Sequence, residues 1–148
     1  MEMQLPDDFK EFLKLLNSHG VEYLLIGGFA VGYYGYPRAT NDIDVWVARS
    51  EKNAVKLVAA LDEFGFGLPE LKPQIFLEPD KIIRMGVAPM RVEVLTSISG
   101  VEFEACYDDR VQVVLDGVEV QLISLEDLKI NKRASGRHKD LDDLDHLP

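Results

Sequence analysis

Two aspartates stand two residues apart in a stretch that otherwise reads as β-strand, and they limit what this chain can fold into more than any other feature. Asp42-Ile43-Asp44-Val45-Trp46-Val47 alternates. Ile43, Val45 and Val47 therefore share one face, while Asp42, Asp44 and Trp46 share the other. Aspartate is depleted in strands, and like charges this close repel unless a cation lies between them. Upstream, Tyr23–Ile26 is a short apolar run ended by Gly27-Gly28, as a buried strand would be. A helix over residues 29–34 is expected directly after it. A strand–Gly-Gly–helix turn leaves backbone N–H groups unpaired and suited to phosphate; the other reading of the pair is a plain tight turn.

Better-known glycine and acid motifs do not fit. The glycines at positions 27, 28, 32 and 35 miss the G-x-G-x-x-G spacing of dinucleotide folds. No Gly-Lys-Ser/Thr follows them, which excludes a P-loop. A calcium loop opened by Asp42 would need glutamate at its twelfth position, where Asn53 stands. A net charge of −10 argues against broad, non-specific DNA or RNA binding, although a local basic patch could still dock one structured partner.

The 148 residues fit one domain, 1–148, with one sizeable core. Cys106 is the only cysteine, so a reducing compartment, the cytoplasm, is expected. The start lacks the regions of a signal peptide, and no apolar run is long enough for a membrane span.

The remaining elements follow from local signals. A first helix opens at Pro6-Asp7, carries Phe9, Phe12, Leu13 and Leu16 on one stripe, and stops at Gly20. Ser50 is a good N-cap for a second long helix ending before Gly65. Residues 66–73 read as a loop, followed by two short strands, 74–77 and 81–87. Residues 91–95 form a further strand that presents Arg91, Glu93 and Leu95 on one face, so Glu93 is a third acid on a central strand. One or two helical turns are expected within 100–107. Asp116-Gly117 joins two strands as a hairpin, Ser124 and Asp127 start a helix, and Gly136 separates it from a last one.

The ordered set of Gly27-Gly28, Asp42-Ile43-Asp44 and a lone later acid resembles the nucleotidyltransferase superfamily of polymerase β, the CCA-adding enzymes and the antibiotic nucleotidyltransferases. The resemblance is sharpest for the abortive-infection-type transferases of bacterial toxin–antitoxin systems and related proteins. That branch has an Arg-x-Thr before the aspartates and a late lysine followed by Gly-Arg-x-Lys-Asp. Here these are Arg38-Ala39-Thr40, Lys132 and Gly136-Arg137-His138-Lys139-Asp140. Two departures stand out. Gly28 replaces the serine of many members, and Glu93 stands where aspartate is more usual.

The resemblance implies an α+β fold, a mixed central sheet flanked by helices. It implies that Asp42, Asp44 and Glu93 hold two Mg²⁺ ions with a bound NTP, and that Gly27, Gly28, Arg38 and Thr40 contact the nucleotide. Lys132 would join the catalytic set through phosphate or acceptor. Mg²⁺ is a hard cation and suits carboxylates. Other readings stay open residue by residue. Arg38 could pair with Asp42 or Asp44, and Thr40 could bond backbone. Lys132 lies on an apolar stripe with Leu125 and Leu128, where it could snorkel. Lys129, Arg133, Arg137 and Lys139 could form a solvated face, with Lys139–Asp143 as an ordinary i,i+4 pair.

The function expected is transfer of an NMP from an NTP to a hydroxyl acceptor of a small molecule, protein or RNA, with release of pyrophosphate. The alternatives are a non-catalytic module that binds a toxin–antitoxin partner protein, and a regulator that binds Mg–NTP.

Overall fold

The computed structural model describes residues 4–37, 40–87 and 90–148. The chain runs α1 (Asp7–Ser18), β1 (Tyr23–Ile26), α2 (Gly27–Tyr33), β2 (Asp42–Val47), α3 (Glu51–Phe64), a 3₁₀ turn (Pro73–Leu77), β3 (Ile82–Val87), β4 (Met90–Leu95), α4 (Phe103–Asp108), β5 (Val111–Leu115), β6 (Val118–Leu122), α5 (Leu125–Ser135) and α6 (His138–His146). The strands form one six-stranded sheet in the order β3-β4-β2-β1-β6-β5. It is mixed: β2 runs parallel to β4 and antiparallel to β1, β1 runs parallel to β6, and β3–β4 and β5–β6 are antiparallel hairpins. This is the α+β architecture, a mixed central sheet flanked by helices, that the resemblance implies. Among the described residues, no helix is long and apolar enough to cross a membrane.

The local signals explain most boundaries. The stripe on α1 is fully buried at Phe9, Phe12, Leu13 and Leu16. Helix α1 packs on α3 and β6, and Phe12 meets Phe64 with ring centroids 5.5 Å apart. Ser50 and Ser124 cap α3 and α5 by accepting the backbone N–H of Asn53 and Asp127, each at 3.1 Å. Asp116 and Gly117 both have positive φ, as the two central residues of a type I′ hairpin require. Asn53 fastens α3 to the sheet. Its amide accepts the Glu22 N–H at 2.7 Å and donates to the Glu22 and Ala48 carbonyls at 3.0 Å each.

Two expectations are corrected. Residues 74–77 are not a strand but part of the Pro73–Leu77 3₁₀ turn. Pro73 fixes its φ and offers no N–H to a ladder, and Phe76 is wholly buried while the turn packs on α3. The helix expected from residue 29 begins at Gly27 itself, so the glycine turn and the helix start coincide.

Candidate active site

The register of the sheet builds the site. Asp44 on β2 lies directly opposite Glu93 on β4 and opposite Ile26 on β1. Asp42 lies opposite Arg91, and Arg84 on β3 lies opposite Glu93. Asp42, Asp44 and Glu93 therefore reach the same face and line one cleft of about 480 Å³. Lys132, Arg137, Lys139 and Asp140, from α5, α6 and the turn between them, form its other charged wall. A second cavity of about 410 Å³ lies between α3 and the 66–73 loop. It is apolar, with only Asp62 as a charged residue, and has no convergent polar groups for chemistry.

The glycines make room for this arrangement. Gly27 follows the residue paired with Asp44 and has φ +71°, a conformation that favours glycine. A Cβ there would collide with Asp44 Oδ2. A Cβ on Gly28 would come within 2.8 Å of Thr40 Oγ1 and 2.9 Å of Thr40 Cβ. Thr40 thus occupies the space that a side chain at position 28 would need. This gives a steric reason for the glycine at position 28. The Thr40 hydroxyl donates to the Asp42 carbonyl at 3.2 Å.

Crowding sets the electrostatics. Burial, a hydrogen bond with Glu93 and the charges of Glu93 and Asp42 push the Asp44 carboxyl up to about 7, against the pull of Lys139. For Glu93, burial works upward but is outweighed by hydrogen bonds from Arg84 and Asp44, so its carboxyl sits below the usual range. Arg84 Nε donates to Glu93 Oε1 at 2.7 Å, and Arg91 Nε stands 3.8 Å from Asp42 Oδ1. Among the described residues, no three His, Cys, Asp or Glu side chains are arranged to hold one metal ion. The donor set nonetheless suits Mg²⁺: three carboxylates share a cleft, and Asp44 Oδ1 is buried without a hydrogen-bond partner.

Lys132 is neither at the surface nor snorkelling. It is 5% exposed, and its ammonium lies 3.3 Å from Asp140 Oδ1 and 3.1 Å from Asp143 Oδ2, both on aspartates only 1% exposed. Asp140 also accepts from Ser135 Oγ at 2.7 Å and Arg137 Nε at 2.8 Å. Burial works upward on its carboxyl, but these hydrogen bonds and Lys132 outweigh it and bring the pKa down to about 2. The expected Lys139–Asp143 pair is corrected: Asp143 pairs with Lys132, and among the described residues Lys139 has no ion-pair partner. Arg38 lies outside the described residues.

The sequence reading passed over the roles of Arg84, Arg91 and the Asp140–Asp143 pair. Arg84 alternates with Ile83 and Met85, and Asp140 and Asp143 share a helix face, but the pairing of Arg84 with Glu93, of Arg91 with Asp42 and of both aspartates with Lys132 is fixed by tertiary contacts.

A profile described as "Nucleotidyltransferase of unknown function (DUF6036)" matches residues 3–147. The chain belongs to this family. No curated protein matches it. The DUF6036 chain is similar in fold to two solved structures. One is a candidate nucleotidyltransferase from Thermotoga maritima, with 16% identity, coverage of 97% of this chain and 94% of that one, and a TM-score of 0.65. The other is an antigenic nucleotidyltransferase-like protein from Paracoccidioides brasiliensis, with 18% identity, coverage of 96% and 76%, and a TM-score of 0.56. At these identities the likeness concerns the fold alone.

Proposed function

We propose that the protein is a Mg²⁺-dependent nucleotidyltransferase that moves an NMP from an NTP to a hydroxyl acceptor and releases pyrophosphate. The observation that carries this reading is the pairing of Asp44 with Glu93 on adjacent parallel strands, with Asp42 two residues along, over a glycine that leaves space for the Asp44 carboxylate. Asp42, Asp44 and Glu93 would hold the ions. An ion held there would neutralise charge on the phosphates. The residues of the chain prepare the site. Gly27 and Gly28 leave room for the Asp44 carboxylate and for Thr40, Thr40 fixes the entry to β2, and Arg84 keeps Glu93 ionised.

The test is incubation with α-labelled NTPs, Mg²⁺ and cell extract. Label should move to RNA, protein or a small molecule with release of pyrophosphate, and Asp44→Asn should abolish it. Transfer undiminished in Asp44→Asn would refute the assignment.

The Arg84–Glu93 pair supports a second reading. With Glu93 engaged by an arginine, the chain would bind Mg–NTP as a regulator and not transfer. A thermal shift with Mg–NTP, without pyrophosphate release across many acceptors, would favour it.

A further inference from the structure

The cleft has two charged walls of opposite sign. One is acidic, from β2 and β4; the other comes from α5, α6 and the turn between them. The second wall contains three cations of different standing. Lys132 is buried and committed to Asp140 and Asp143. Arg137 donates to Asp140 through Nε at 2.8 Å and Nη2 at 3.5 Å, yet its side chain is 71% exposed, so the other edge of the guanidinium is left to solvent and cleft. Lys139 is exposed, lines the cleft, and has no ion-pair partner among the described residues. The charge of Lys139 is felt by both Asp44 and Glu93, and Arg137 feels that of Glu93, so the two cations face the acids.

We infer that Lys139 and Arg137 are the polyphosphate-binding residues of this cleft, and that Lys132, through Asp140, positions Arg137 without touching the phosphates. This rests on the nucleotide reading above and moves the phosphate contact from Lys132 to the two residues beyond Gly136. The chemistry favours it. An ammonium already shared by two buried carboxylates would have to give up both ion pairs to reach a phosphate. An unpaired lysine and a half-engaged arginine bring charge without that loss. Arg137 offers a planar fork anchored by Asp140 on one edge, with donors remaining for a phosphate oxygen on the other. Acids on one side and cations on the other give a chain of phosphates two kinds of contact. Asp42, Asp44 and Glu93 would hold a metal ion on one side of the phosphates, and Arg137 and Lys139 would meet their charge from the other.

Inorganic tripolyphosphate in Mg²⁺ tests this without nucleotide, acceptor or turnover. By calorimetry, Lys139→Ala and Arg137→Ala should each weaken its binding about tenfold, the size of a lost charge-assisted hydrogen bond. Lys129→Ala is the control. It removes one charge from α5 outside the cleft, where Lys129 Nζ bonds the Pro148 carbonyl. It should change binding less than about twofold, as expected for a screened surface charge. An equal loss in Lys129→Ala would mean diffuse attraction and overturn the inference. So would a wild-type chain that does not bind tripolyphosphate. Binding lost in Asp44→Asn but kept in both wall variants would overturn the wall and leave the metal–nucleotide reading standing. Binding lost in the wall variants, with no pyrophosphate released from any NTP, would uphold the wall and remove the transfer reading.

Discussion

At the scale of single residues, Asp44 carries the sharpest consequence because its ionisation is opposed by its neighbours. A carboxyl raised to about 7 holds its proton more tightly in the folded chain than in the unfolded one. Its contribution to stability therefore falls as pH rises from the unfolded value near 4 through about 7, and the full penalty is present above that. Glu93, held low mainly by Arg84, works in the opposite sense, gaining stability as pH rises above its folded pKa. Asp44→Asn removes the first effect at nearly constant volume. Without metal at pH 8, the variant should melt at or above the wild type, and the advantage should fade towards pH 4. Mg²⁺ should reverse the order. An ion that binds only the folded wild type stabilises it by about 2.7 kcal/mol at ~100 times its dissociation constant, and the variant has one anionic ligand fewer. Melting curves at pH 4 and 8, in EDTA and in Mg²⁺, decide this. A metal-free variant that melts well below wild type at pH 8 would rule out the crowded-carboxylate account and make Asp44 a structural partner.

At the scale of elements, two polar fastenings hold helices in place. The lock between α5 and α6 puts one lysine between two buried aspartates. Lys132→Met keeps the stem and removes the charge. It should destabilise by about 3–5 kcal/mol, because two buried ion pairs are broken from one side. A lysine reaching solvent along the core rim would tolerate the same change with almost no loss in a urea melt, so a near-neutral result would restore that alternative. Asp140, depressed to about 2, also links the lock to pH. Its stabilisation is present above the unfolded value near 4 and is lost as pH falls through about 2. The second fastening is Asn53, whose amide makes three bonds to backbone at the ends of β1 and β2. Asn53→Ala takes the side-chain partner from the Glu22 N–H and the Ala48 carbonyl, while the Glu22 carbonyl keeps the Ala48 N–H. It should cost about 2–4 kcal/mol in the same melt, and a loss below ~1 kcal/mol would show that water replaces the amide.

At the scale of the whole molecule, the sequence disclosed the sheet and the acids but not what surrounds them. The β2 alternation, the Asp116-Gly117 hairpin and the serine caps are written in neighbouring residues, where propensity and local hydrogen bonds act. The pairing of Asp44 with Glu93 could be anticipated because period-2 alternation fixes which face an acid takes. The counter-ions could not. Arg84, Arg91 and Asp143 meet their partners only through strand order and helix packing, which i,i+4 spacing on one helix cannot show. Residues 74–77 misled because a short apolar run after proline suits a buried 3₁₀ turn as well as a strand. The strand order also predicts how stability is distributed. β2 and β1 have neighbours on both sides and buried faces, whereas β3 and β5 are edges with exposed Val87 and Val114. In native-state hydrogen exchange, β1 and β2 amides should exchange last and those of β3 and β5 early. A bound Mg–NTP should then slow exchange mainly in the turn from α5 to α6 and in β3, the walls that have protection to gain, and leave the central strands unchanged. If β2 gains protection instead, ligand is completing the sheet itself, and the acids do not stand on the preformed scaffold that in-line transfer needs.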